Sequence, residues 1–204
     1  ERAGASTMVF HPLQTFGDPL VGHSRFAGAA VAITPLSPQP DSPAALVGHA
    51  LAEALGARPF LLIDEKRGLY HAAATLACNY FVALEHHSRD LFVRAGLPSE
   101  EALSLFLPLL RATMDNMEKE GTVGALTGPL SRGDTSTISD HLTALEADAP
   151  HLLPMYRTLA LAALDLVRAR DEVDGLVIDR LAGLLKSPQG YDEDDVPQPN
   201  TAGG

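Results

Sequence analysis

The sequence predicts a mostly α-helical protein in two parts, the closing portion of an α/β domain and then an all-helical domain. Three observations predict it. Short apolar runs flank a single helical segment up to residue 64. From residue 65 onward apolar residues recur at helical spacing. Hydrophobic residues make up 46% of the chain but aromatics only 5%, with no Trp, so the core must be built from Ala, Leu and Val, which suits closely packed helices.

Met8-Val9-Phe10 reads as a short strand ending at His11-Pro12, and Ala29 to Ile33 as a second, rich in small and β-branched residues. A Pro-rich loop spans Pro35 to Pro43. Ser42 is placed as an N-cap with Pro43 at the first helical position, and the helix runs through Leu46, Ala50 and Leu51 to a stop at Gly56. Pro59 to Ile63 is a third strand, and the last three elements make one βαβ unit. One such unit cannot cover both faces of its sheet, and the chain opens abruptly on Glu1-Arg2-Ala3-Gly4. A larger parallel sheet is therefore expected ahead of residue 1. No G-x-G-x-x-G follows a strand, so a phosphate-binding turn is expected in that preceding part.

The first long helix is expected from Lys66 to Ala95, stopped by Gly96, with Tyr70, Ala73, Ala74, Ala77, Phe81, Leu84 and Leu91 as its apolar stripe. Ser99 is expected to cap the next helix, with Glu100 and Glu101 in its first turn, Pro108 as a kink and Gly121 near its end. After a Gly-, Thr- and Pro-rich loop to Asp134, helices are expected over Thr135 to Glu146, His151 to Ala169 and Val173 to Leu185. The predicted division is 1–64, the remnant of the α/β domain; 65–187, a helical domain; and 188–204, a disordered acidic tail holding Asp192, Glu193, Asp194 and Asp195.

Totals narrow the function. The net charge is −11, from 26 acidic and 15 basic residues, and there is no basic stripe, which argues against nucleic acid. No apolar run reaches the roughly 18 residues that suggest a membrane span. Cys78 is the only cysteine, so neither an intrachain disulfide nor a Cys-based zinc site is available; Cys78 itself reads as a small core residue. The cytoplasm is the expected compartment.

Three stretches could carry chemistry. Arg67, His71, Thr75 and Asn79 lie four residues apart in an Ala-rich helix and would form one polar ridge that an oxygen-rich small molecule could approach. Imidazole titrates near about pH 6.5 and can donate a proton near neutrality. The bland alternative is that His71 and Asn79 satisfy backbone groups. Next comes Leu126-Thr127-Gly128-Pro129-Leu130-Ser131-Arg132-Gly133-Asp134, followed by Thr137 and His141. Arg132 could clamp a carboxylate or phosphate; equally, Asp134 could cap the following helix and pair with Arg132. Finally, His11-Pro12-Leu13-Gln14-Thr15-Phe16 follows a strand, where ligands of open α/β sheets sit, so His11 could face a cofactor or be a plain loop residue. His86 and Asp90 are spaced i, i+4 without a third ligand, so no metal is expected. No G-x-S-x-G appears.

The same blocks, His11 to Phe16, Leu69-Tyr70-His71-Ala72-Ala73-Ala74 with Asn79-Tyr80, and Leu126-Thr127-Gly128-Pro129 with Arg132-Gly133-Asp134 and His141-Leu142, resemble one family over residues 8 to 186. It is the group of Rossmann-like proteins that carry domain of unknown function 2520. That group is similar in turn to 6-phosphogluconate dehydrogenase, 3-hydroxyisobutyrate dehydrogenase, ketopantoate reductase and pyrroline-5-carboxylate reductase. The resemblance implies the C-terminal part of a Rossmann-like domain, followed by a helical domain like the C-terminal domain of 6-phosphogluconate dehydrogenase, which pairs with its twin. It also implies NADP, bound mainly by the preceding domain. Related dehydrogenases place a Lys and an Asn on the first long helix, where this chain offers Arg67, His71 and Asn79. His71 is then the expected proton donor, with Asn79 orienting the substrate. Arg67, Thr75, Thr127, Arg132 and Asp134 are the expected substrate-binding residues, and His11 lies toward the cofactor. The expected reaction is reduction of a small carbonyl or imine, or its reverse on a hydroxy acid, in a homodimer. The alternative is a non-catalytic helical module for dimerisation or ligand binding.

Overall fold

In the computed structural model, which describes residues 5–18, 20–37 and 39–186, the first strand is longer than its apolar run. Strand β1 is Met8–Pro12, so His11 and Pro12 lie inside it and not in a loop beyond it. Pro12 is tolerated because β1 is an edge strand, where a missing N–H leaves no ladder bond unmade. Strand β2 (Ala30–Pro35) is central and pairs antiparallel with β1; β3 (Arg58–Leu61) pairs parallel with β2. Helix α1 (Pro43–Ala54) makes the crossover between the parallel strands, capped as its sequence predicts: Ala45 N–H donates to Ser42 Oγ, with Pro43 in the first turn.

Period-two alternation divides the sheet residues between its faces. Val31 and Ile33, both fully buried, join Ala52 of α1 and Ala57 in a core that Met8 and Phe10 complete. The opposite face carries the cross-strand pairs Val9 with Thr34 and His11 with Ala32. Helix α1 approaches its own face closely at Gly48, where a Cβ would stand 2.7 Å from Met8 Sδ and 2.8 Å from Ile33 Cγ2.

After β3 the chain turns through Asp64–Lys66 into one unbroken helical run. It comprises α2 (Arg67–Ala74), a π-helical stretch Thr75–Tyr80, and α3 (Phe81–Arg94). The π segment adds a residue to the turn, so residues after it do not hold the register of an uninterrupted α-helix. None of the expected apolar stripe is fully buried. Cys78 lies in the π segment and is half-buried, not a core residue, because that side of the helix is incompletely covered.

The chain divides into two compact units with the boundary after His87, within α3. In the second unit, α4 (Ala102–Gly124) starts later than expected. Ser99 is not its cap: Arg89 Nη2 donates to both the carbonyl and the hydroxyl of Ser99, and the turn leading into α4 is closed instead by Glu101 and Ala102 N–H donating to Pro98 O. Pro108 lies inside α4, and the backbone leaves helical geometry at Gly121, at φ 70° and ψ 176°. Helices α5 (Thr135–Asp148), α6 (Leu153–Arg170) and α7 (Gly175–Leu185) follow. Their core holds Ile138, Leu164, Val167, Ile178, Leu181 and Leu185. Each fully buried Leu or Ile contributes roughly 1.5–3 kcal/mol. A smaller cluster joins Leu145, Ala149 and Leu152 to Leu91. The sequence-predicted tail, 188–204, lies outside the described residues. The fold is mostly α with a small three-stranded sheet.

Candidate functional site

The sheet face opposite α1 forms the floor of a cleft in the first unit. Val9 and His11 of β1, Ala32 and Thr34 of β2, and Leu62 just after β3 line it from below. Arg67, Gly68, Tyr70 and His71 of α2 form the wall. The cavity measures ≈ 380 Å³, the size of a small-molecule site. Its floor is apolar except for His11 and the Thr34 hydroxyl, so three nitrogen-bearing side chains and one phenol converge on a largely apolar hollow.

The rings set one another's positions. The His11 ring meets Tyr70 edge-on at a centroid distance of 5.4 Å and His71 at 6.2 Å, and Phe60 meets Tyr70 at 5.9 Å. His11 Nδ1 and Tyr70 Oη are 3.4 Å apart. Burial pushes the Tyr70 phenol above its ordinary pKa, so it keeps its proton at neutral pH. Arg67 Nη1 holds Asp64 Oδ1 at 2.8 Å, with both side chains well exposed. An exposed pair of this kind is worth little, so Asp64 would yield the guanidinium to a ligand carboxylate at small cost.

The cleft brings together His11, Arg67 and His71 of the expected site residues. Thr75 and Asn79 do not line it. Thr75 Oγ1 donates to the His71 carbonyl at 2.9 Å, spending its hydroxyl on its own helix. Asn79 is exposed in the π segment, two turns beyond His71, about 12 Å along an α-helical rise. Tyr70 was not expected here; its sequence position reads as part of an apolar stripe, and only the adjacent His71 hints at a mixed role. Thr34 and Leu62 carry no signal until the strand pairing assigns their face.

The remaining expected residues belong to the second unit. Asp134 caps α5: Thr137 N–H donates at 3.0 Å, Thr137 Oγ1 at 2.7 Å and Ser136 Oγ at 2.8 Å. These bonds, the Thr137 backbone bond first, hold its carboxyl down at about 2, and the Arg132 charge adds to them. Gly133, at φ 70°, turns the chain left-handed with Val177 and Val173 against it. Arg170 Nη1 donates to Leu126 O at 2.6 Å, tying down the start of the same loop. On this anchored loop Thr127 and Arg132 are exposed. His141 Nδ1 lies 2.9 Å from Tyr156 Oη, whose phenol burial also pushes upward. Among the described residues no group of three His, Cys, Asp or Glu gathers as metal ligands would, and no helix is long and apolar enough to cross a membrane.

Two solved structures share the fold. Protein TM1727 from Thermotoga maritima is 22% identical, with a TM-score of 0.67 over 80% of this chain and 62% of its own. The "putative NADP oxidoreductase BF3122" from Bacteroides fragilis is 27% identical, with a TM-score of 0.63 over 78% of this chain and 57% of its own. The chain thus spans about three fifths of each of these proteins. No curated protein matches it. Residues 36–163 match the family model described as Domain of unknown function (DUF2520), which takes in α1, β3, the wall of the cleft and the anchored loop, and the chain therefore belongs to that family.

Proposed function

We propose that this chain is the substrate-binding and dimerising portion of an NADP-dependent oxidoreductase acting on a small carbonyl, imine or hydroxy-acid substrate. One observation carries the reading: His11, Tyr70, His71 and Arg67 converge on a single apolar-floored cleft. Support comes from the resemblance of the fold to the Bacteroides fragilis protein, which is named as an NADP oxidoreductase.

The cleft suits the small substrate and the reactive end of a nicotinamide cofactor, which His11 and Thr34 would border. It offers no phosphate cradle, since no G-x-G-x-x-G follows any strand of the chain. The rest of the cofactor is assigned to a segment outside this sequence. When bound, the cofactor supplies hydride. In this chain His71 gives a proton to the developing oxyanion or amine, and Arg67 takes the substrate carboxylate. Asn79 keeps its proposed substrate role only in an assembly that brings it to the cleft, and Arg132 is proposed to hold a substrate carboxylate from the second unit. Homodimerisation is part of the proposal, because Leu69, Leu76 and Val82 are 70%, 64% and 64% exposed.

The test is NADPH consumption by the whole protein that contains this chain, screened against small 2-oxo acids and cyclic imines. Turnover of one such class is expected. Absence of both NADPH binding and turnover would leave a non-catalytic ligand-binding module.

A further inference from the structure

We propose that Tyr70 is a positioning residue that fixes the tautomer of His11: its hydroxyl donates to Nδ1, so that Nε2 carries the ring proton and offers it to an oxygen of the bound ligand. The geometry supplies the argument. Among the described residues, His11 has one ring nitrogen within hydrogen-bond reach of a protein group, Nδ1, at 3.4 Å from Tyr70 Oη. That leaves Nε2 for whatever occupies the cleft that His11 lines. The contact can run in either direction, but only one satisfies both partners from within the protein, without drawing on solvent. If Nδ1–H donated to the phenol oxygen, the phenolic hydrogen would find no other protein acceptor among the described residues, with the Phe60 ring at its side. If the phenol donates, its hydrogen and the Nδ1 lone pair are matched in one bond.

Both residues are held for the task. His11 sits in the β ladder opposite Ala32, and the Tyr70 ring is wedged between His11 and Phe60. Burial keeps the Tyr70 phenol protonated, so the donor persists through neutral pH. The distance is at the long end of hydrogen bonding. The ligand atom selected is an acceptor, the oxygen of a carbonyl or carboxylate, and not a protonated amine. The ligand class rests on the substrate-cleft reading above; the tautomer does not.

The experiment is nitrogen-detected NMR of the intact protein labelled with 15N-histidine, wild type and Tyr70→Phe, with and without pyruvate as probe. In the wild type His11 should show a protonated Nε2 and an unprotonated, hydrogen-bonded Nδ1. Tyr70→Phe keeps the ring against Phe60, so an unchanged melting curve certifies the fold, while the Nδ1 signal should move and a second tautomer should appear. Pyruvate should perturb Nε2 in the wild type, and its affinity should fall several-fold in the variant. In a His11→Gln background, whose amide keeps a donor near the Nε2 position, adding Tyr70→Phe should cost nothing more. A wild-type His11 with its proton on Nδ1, or identical spectra in Tyr70→Phe, overturns the proposal. Absence of NADPH binding and of turnover with 2-oxo acids and cyclic imines alike, with the tautomer as stated, would instead sink the oxidoreductase reading and leave the positioning role standing.

Discussion

Arg170 donates from Nη1 to the carbonyl oxygen of Leu126 at 2.6 Å, joining residues 44 apart in sequence. The bond closes one end of the loop that Gly133 and Asp134 close at the other. A carbonyl left without its charged donor loses a bond of the stronger kind. Arg170→Met, which keeps the aliphatic packing, should lower stability by about 1–3 kcal/mol. Denaturant unfolding monitored by circular dichroism checks this. A variant as stable as the parent would mean the loop is held by its other contacts alone.

Asp134 makes the stability of the second unit acid-sensitive. Its carboxyl titrates at about 2 in the folded chain against an ordinary 3.8, because the ionised form accepts from Thr137 and Ser136. A depressed folded-state value means that the contribution is fully present above about pH 4 and is lost as pH falls through about 2. The parent should therefore unfold at a higher temperature than Asp134→Ala at pH 6, with the gap closing toward pH 2. Melting curves of the two proteins across that range decide it. A gap that stays constant down to pH 2 would assign the cap's effect to helix geometry and not to charge.

What could be read from the sequence was the local chemistry. Ser42-Pro43 and Asp134 cap helices because their neighbours along the chain supply everything the cap needs. Ser99 has the same side chain in a similar setting, yet Arg89, ten residues back, takes its hydroxyl. Cap competition from another segment has no signature in the cap sequence. The cleft was legible in part. His71 and Arg67 stood out as polar residues in an Ala-rich helix, whereas the role of Val9 and Thr34 depends on which sheet face α1 covers. That follows from pairing β1 against β2. The π segment at Thr75–Tyr80 was invisible for a different reason: a one-residue insertion in a helical turn changes register without changing composition.

Gly48 tests how tightly α1 is set on the sheet. Alanine in mid-helix is ordinarily better than glycine by about 0.5–1 kcal/mol. Here its Cβ would meet Met8 Sδ at 2.7 Å and Ile33 Cγ2 at 2.8 Å. Ile33 is fully buried and cannot swing away, so overpacking of about 1–3 kcal/mol should outweigh the helix gain. Gly48→Ala is expected to be destabilised in chemical denaturation, and to cost less in an Ile33→Ala background, which removes the Cγ2 that the new Cβ meets. A more stable Gly48→Ala would show that the helix can lift from the strands at little cost.

His71 separates the cleft's chemistry from the chain's stability. Its side chain is exposed, and its backbone carbonyl, not its ring, receives the Thr75 hydroxyl. Removing the imidazole should therefore change stability by less than about 0.5 kcal/mol. If the ring delivers the proton during reduction, turnover by the whole protein should fall about 10²–10⁴-fold in His71→Ala. The substrate KM should change far less, since Arg67 and the apolar floor remain. His71→Gln can still donate a hydrogen bond but cannot give up a proton at neutral pH, so it should be as slow as the alanine variant. Recovery of most of the rate in His71→Gln would reduce the imidazole to a hydrogen-bond donor, and an unchanged rate in His71→Ala would remove it from the reaction altogether.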